Sequence, residues 1–277
     1  MSDLSLRPNV FKNPDFDAVR FARELEEKKP AHRSFGIFFT PRSGSSWLTD
    51  VVIGTKLMGK PHEWFNPNFI PNITRGVNAE TLDGYIEMIR RKHKPGGIFS
   101  FEITSYQLRR VFGMNGTFPG YFPPEDIYFY LTREDMVAQA VSLAKAVQTD
   151  VFHSKGSAPD AVQAADEAFP YDADLIEEWL DHIFGQEKLF ETFFETHGYK
   201  PIRITYEQMT GMGAEGVAHY LMRTVRPGIA KKFTYEPTVI EHKKIGTSRN
   251  AEYVDRFRRD RAKRVAEVEA FRAGLTA

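Results

Sequence analysis

Residues 35–48, Phe-Gly-Ile-Phe-Phe-Thr-Pro-Arg-Ser-Gly-Ser-Ser-Trp-Leu, run from a short apolar strand into a hydroxyl-rich turn that opens a helix. Such a turn gathers backbone N–H groups that lack intrahelical partners at the positive end of the helix dipole, an arrangement that binds anions. Ser43, Ser45 and Ser46 add hydroxyl donors, and Arg42 adds a full charge that can fork onto two oxygens. The expected guest is a phosphate or a phosphosulfate. Laid on the nucleotide-triphosphatase pattern G-x-x-x-x-G-K-[ST], Gly44 and Ser46 fall on the last Gly and the Ser/Thr, but Phe39 replaces the first Gly and Ser45 replaces the Lys. The group that would reach a γ-phosphate is missing, which favours a P-loop-like fold with a different donor over an ATPase.

Three stretches carry a family resemblance. Pro41-Arg42-Ser43-Gly44-Ser45-Ser46-Trp47 resembles the Pro-(Lys/Arg)-Ser-Gly-(Ser/Thr)-(Ser/Thr)-Trp loop with which sulfotransferases hold the 5′-phosphosulfate of 3′-phosphoadenosine 5′-phosphosulfate (PAPS). Residues 126–146 are similar to the strand, arginine and helix serine that bind the donor's 3′-phosphate in that family, with Arg133 and Ser142 at the matching positions. Gly59-Lys-Pro-His-Glu-Trp-Phe65 looks most like the bacterial trehalose 2-sulfotransferase-type branch, which includes enzymes assigned to lipopolysaccharide and other glycans. The resemblance implies that Thr40, Pro41, Arg42, Ser43, Gly44, Ser45, Ser46 and Trp47 hold the phosphosulfate, that Arg133 and Ser142 hold the 3′-phosphate, and that Glu63 is the general base. It implies PAPS as co-substrate and a carbohydrate or glycolipid hydroxyl as acceptor. Two departures stand out. The Arg133–Ser142 separation is one residue longer than usual, and Glu102 stands where family members commonly carry a Lys or similar base.

The chemistry of these residue types agrees with that reading. A sugar hydroxyl is far too weak an acid to ionise at neutral pH, so a carboxylate beside it helps by accepting its proton as the O–S bond forms. Trp64 and Phe65 offer an apolar wall and a sugar-stacking face, and Tyr106 and the aromatics of 118–122 are further stacking candidates. His62 is the rival base. Arg42 is suited to offset charge on the bridging oxygen as the sulfuryl group leaves. Lys243, Lys244 and Arg249, in the basic stretch 241–250, are a loop that folds over the donor's adenosine in the resemblance and a solvated loop otherwise. The histidines show no metal-ligand spacing, so no metal is expected. A P-loop kinase and a non-catalytic nucleotide-binding module remain the competing readings.

Elements that would position these groups follow from periodicity. The pattern predicts strands at 35–39, 98–104, 127–131 and 201–207, and helices at 16–28, 46–57, 79–91, 134–147 and 174–195. Strands alternating with helices imply an α/β, three-layer, P-loop-like fold: a central mainly parallel sheet with helices on both faces and ligands at the carboxyl ends of its strands. The Gly- and Pro-rich stretch 113–124 reads as an exposed turn, 148–172 as irregular, and the charge-laced tail 251–272 as a solvated helix. Residues 1–34 read as a polar N-terminal extension to a single domain, 35–277.

Composition narrows the function classes. The 277 residues hold 37 Lys+Arg against 37 Asp+Glu, so no global basic field points to nucleic acid or an anionic membrane. The absence of cysteine excludes disulfides, thiolate catalysis and Cys-ligated zinc. No window approaches the roughly 18 apolar residues of a transmembrane span and no signal-peptide core opens the chain, so the expectation is cytoplasmic. A symmetric homodimer is the base-rate expectation for quaternary state.

Overall fold

The computed structural model describes residues 10–113, 116–151, 164, 167–236 and 248–276. Four strands, β1 (Arg33–Phe39), β2 (Ile98–Ile103), β3 (Ile127–Thr132) and β4 (Ile202–Thr205), form a sheet in the order β2-β1-β3-β4, with every neighbouring pair parallel. β1 is flanked by β2 on one side and by β3 on the other, so its carboxyl end lies where the chain turns to opposite sides of the sheet. Ligands of open α/β sheets bind at such a point.

The strands are buried on both faces, and their side chains alternate between two cores with the period of two that a pleat imposes. Phe35, Ile37, Phe39, Phe129 and Leu131 face one way, against α2 (Ser45–Gly54) and α9 (Tyr206–Val225). Phe38, Phe99, Phe101, Tyr128 and Tyr130 face the other, against α4 (Leu82–Lys92), α5 (Ser105–Phe112), α6 (Phe118–Tyr121) and α8 (Ala173–His197). Gly36 lies on this second face, where a Cβ would sit 2.6 Å from the Phe101 ring and 2.9 Å from the Tyr128 ring. The glycine lets two aromatics from neighbouring strands close over β1.

A third cluster lies off the sheet, where α7 (Met136–Thr149), α8, α11 (Ser248–Asp260) and α12 (Ala262–Thr276) pack around Ala140, Ile183, Phe257 and Val268. Among the described residues, the remaining α-helices are α1 (Ala18–Glu27), α3 (Ile70–Val77) and the short α10 (Pro227–Ala230). The described part of the N-terminal segment is tied to the domain. Phe11 enters the second core, Asp17 exchanges two 2.9 Å hydrogen bonds with the Asn78 side chain, and Glu24 pairs with Lys28 and Lys92.

Two expectations need correction. The stretch 113–124 is not simply an exposed turn: it carries α6, and Phe118 and Phe122 are wholly buried in the aromatic core. The apolar gain from burying two phenylalanines, about 1.5–3 kcal/mol each, outweighs the loop signal of the neighbouring Gly and Pro. The tail is not simply solvated either. It forms two helices whose Phe257, Val265 and Val268 are buried.

Candidate active site

The turn after β1 is held from inside. Ser43 is fully buried and its Oγ donates to the Thr40 carbonyl at 2.7 Å, closing the loop on itself. Gln139, buried on α7, donates from Nε2 to Thr40 Oγ1 at 2.9 Å and to the Pro41 carbonyl at 2.7 Å. Arg42 and Gly44 both adopt left-handed backbone, at φ 66° and 90°. Gly44 is the N-cap of α2 and supplies no side-chain cap. The first-turn N–H groups of α2 are thus left to a ligand or solvent, as an anion nest requires. A Cβ on Gly44 would meet the Tyr206 ring at 2.6 Å, so glycine is demanded by space as well as by φ.

Cations gather on the β3 side of the loop. Gln139 and Ser142 lie three residues apart on one face of α7. Gln139 holds the loop backbone while Ser142 Oγ accepts from Arg42 Nε at 3.1 Å. Burial, and then the neighbouring charge of Arg133, pull the Arg42 pKa down to about 10, which leaves it cationic at neutral pH. Arg133 follows β3 and lies over the Tyr206 ring, 5.2 Å from its centroid. Its Nε is buried, makes no hydrogen bond, and stands 3.7 Å from Glu207 Oε1. The Arg133 backbone is fixed by Arg272 of α12, which donates to the Arg133 and Glu134 carbonyls at 2.6 and 2.8 Å while its fork grips the buried Glu187. Two guanidiniums, a hydroxyl and a helix N-terminus therefore converge, and their common complement is a multiply charged anion.

Carboxylates gather on the β2 side. The segment from Pro61 runs beside β2, where Glu102 N–H donates to the His62 carbonyl at 3.0 Å. Glu63, half-buried, accepts at Oε2 from Asn66 Nδ2 at 2.8 Å and from Gln107 Nε2. Gln107 belongs to the capping box of α5: its Oε1 accepts from Thr104 N–H, which turns the amide nitrogen toward Glu63. Both amides bind the same oxygen, Oε2. His62 is exposed beside it.

The structure thus brings Thr40, Pro41, Arg42, Ser43, Gly44, Ser45, Arg133 and Ser142 together around one turn, with Ser46 half-buried in the first turn of α2. Trp47 packs partly buried against the first core. The expectation of Trp64 and Phe65 as a stacking face is corrected. Phe65 is fully buried among Phe101, Phe112 and Phe122, and Trp64 is 6% exposed with its indole N–H donated to the Ser100 carbonyl. Phe118 and Phe122 are likewise core. Tyr106, 47% exposed on α5, retains an accessible ring. Residues 241–247 of the basic stretch lie outside the described residues; Arg249 and Asn250 begin α11, where Asn250 Oδ1 is 3.5 Å from Lys145 Nζ.

Sequence reasoning missed Gln139, Gln107 and Arg272, which touch the loop, Glu63 and Arg133 respectively. A polar Gln inside the apolar run of α7 and the Thr104-x-x-Gln107 spacing were the available signals. Nothing local marks Arg272. Among the described residues, no group of three or more His, Cys, Asp or Glu is placed to hold a metal, and no helix is long and apolar enough to cross a membrane.

A four-stranded parallel sheet with an open-capped helix turn at its switch point defines a P-loop-like α/β protein. Within that class, the chain belongs to the Stf0 sulphotransferase family, whose model matches residues 120–260, the half that contains β3, Arg133 and α7. It is 24% identical over 215 residues to a trehalose 2-sulfotransferase of Mycobacterium tuberculosis, covering 64% of this chain and 78% of that protein. It is 23% identical over 266 residues to a trehalose 2-sulfotransferase of Mycolicibacterium smegmatis, covering 81% of this chain and 94% of that one.

Proposed function

We propose that the protein is a PAPS-dependent sulfotransferase that moves a sulfuryl group to a hydroxyl of a carbohydrate or glycolipid, of the trehalose type or a lipopolysaccharide sugar. The observation that carries the proposal is the convergence of Arg42, Arg133 and Ser142 on a turn whose helix cap is left open. PAPS supplies an activated sulfuryl group and a separate 3′-phosphate, and the residues present suit both. The loop N–H groups and Ser46 would hold the phosphosulfate. Arg133, with a buried N–H not yet hydrogen-bonded, and Ser142 would hold the 3′-phosphate.

Arg42 stands in the loop itself, oriented by Ser142, and offsets charge on the bridging oxygen. Glu63 is held by two amides on Oε2 and accepts the acceptor's proton at Oε1. The trehalose acceptor named for both relatives supports a disaccharide as the first acceptor to try.

The test is incubation with PAPS and a panel of trehalose, other disaccharides and lipopolysaccharide core sugars, read by mass spectrometry for addition of one sulfate. Transfer to a sugar is expected, falling about 10²-fold or more in Glu63→Gln. Magnesium-dependent phosphoryl transfer from ATP, or nucleotide binding with no transfer to any acceptor, would overturn the proposal.

A further inference from the structure

Glu102 takes no part in the proposed transfer chemistry, yet it occupies the carboxyl end of β2 with only 6% exposure. Its side chain meets Thr49 and Ser45, both on α2, and lies near enough to Glu63 to feel its charge. The contact with Thr49 has a particular geometry. Thr49 Oγ1 stands 2.9 Å from the Pro61 carbonyl oxygen and 3.3 Å from Glu102 Oε2.

A hydroxyl has one hydrogen and two lone pairs. The Pro61 oxygen is the nearer partner and can only accept, so it takes the Thr49 hydrogen. The contact between Thr49 and Glu102 is then a hydrogen bond only when Glu102 brings the hydrogen. We propose that Glu102 is a positioning residue of the transfer site that works as a neutral carboxylic acid, donating to Thr49 and tying β2, α2 and the Pro61–Glu63 segment into one frame. Its positioning role rests on the transferase reading; its protonation state does not.

Electrostatics agree. Burial first, and then the charge of Glu63, push the Glu102 carboxyl well above its ordinary value, and the opposing pull of the nearby Thr49 and Ser45 hydroxyls is smaller. A neutral Glu102 leaves the negative charge of the pair on Glu63, where a base needs it. It also keeps an anion away from Ser45, whose own N–H belongs to the first turn of α2. An ionised Glu102 at that place would oppose any anion entering the loop.

The test has two arms. The infrared difference spectrum between wild type and Glu102→Gln at neutral pH should contain the C=O stretch of a protonated carboxylic acid contributed by wild type. Its absence would overturn the proposal whatever the protein transfers. In the second arm, Glu102→Ala should lower kcat by about tenfold, the scale of one buried hydrogen bond, and Gln, which keeps an N–H donor, should restore most of it.

The acid limb of the kcat/KM profile should coincide in wild type and Glu102→Gln, because a neutral group is exchanged for a neutral group. A limb displaced to lower pH in the Gln variant would mean that a second carboxylate charge had been acting on the base, and would overturn the proposal. A Gln variant as impaired as Ala, with cooperative unfolding intact in both, would do the same. If wild type transfers nothing from PAPS, the transferase reading fails while the infrared band still decides the state of Glu102.

Discussion

Arg42 Nε donates to Ser142 Oγ across 3.1 Å, joining the turn after β1 to the middle of α7. The contact orients a half-buried guanidinium beside a second one, that of Arg133. In the proposed mechanism the two residues of the pair do different work, so their variants should separate. Ser142→Ala should weaken adenosine 3′,5′-bisphosphate binding by about two- to tenfold, the worth of one hydrogen bond. Arg42→Ala should lose about 10²-fold in kcat and less in donor affinity. Steady-state kinetics beside calorimetric affinities check this, and a kcat within a few fold of wild type would exclude the role given to Arg42.

Gly44 carries two demands at once, φ of 90° and contact with Tyr206. Gly44→Ala should lose about 1–3 kcal/mol from backbone strain alone and should also disturb the nest it caps. Thermal unfolding should show a Tm lower by several degrees, and bisphosphate binding should fall more steeply than stability. An unchanged Tm would mean that the loop backbone is less constrained than described.

The strand, turn and helix around Thr40–Ser46 were legible because an apolar run, hydroxyl residues and an arginine announce themselves within a dozen positions. Each of the four predicted strands overlaps an observed one, since continuous apolar runs such as Ile127–Leu131 have few alternatives in an α/β chain. The aromatic core around Phe65, Phe118 and Phe122 was misread for the opposite reason. Pro61, Pro119, Gly120 and Pro123 give strong turn signals, whereas burial depends on partners such as Phe101 and Phe112 that no local window contains. The same limit hid Arg272, which reaches Arg133 from 139 positions away in the chain. Glu102 was visible as a departure in an apolar strand, but its meaning depends on Thr49 and Pro61.

Phe65 gives a test of the correction at the Trp64-Phe65 pair. A ring this enclosed contributes packing and not a sugar platform, so Phe65→Ala should cost about 3–5 kcal/mol of stability. Chemical denaturation measures it. A variant with native stability but a raised KM for the acceptor would restore the stacking role.

Glu102 also makes stability depend on pH in a fixed direction. Its carboxyl is raised above the ordinary 4.5 by burial and then by Glu63, so between that value and the native one the folded form holds a proton that the unfolded form has released. Stability from this group is full below the ordinary value and is lost as pH rises through the native one. Glu102→Gln removes the slope, and its Tm advantage over wild type should grow as pH rises from the ordinary carboxylate range toward the raised native one. A constant Tm difference across that range would contradict the neutral state of Glu102.

In the proposed function the cationic turn selects a nucleotide carrying a 3′-phosphate. Calorimetric titration with adenosine 3′,5′-bisphosphate, with ADP plus magnesium as the comparison, tests it most directly in wild type and in Arg133→Ala. Wild type should bind the bisphosphate tightly and ADP weakly, and Arg133→Ala should lose most of the bisphosphate affinity. Preference for ADP with magnesium, or bisphosphate affinity unchanged by Arg133→Ala, would contradict it.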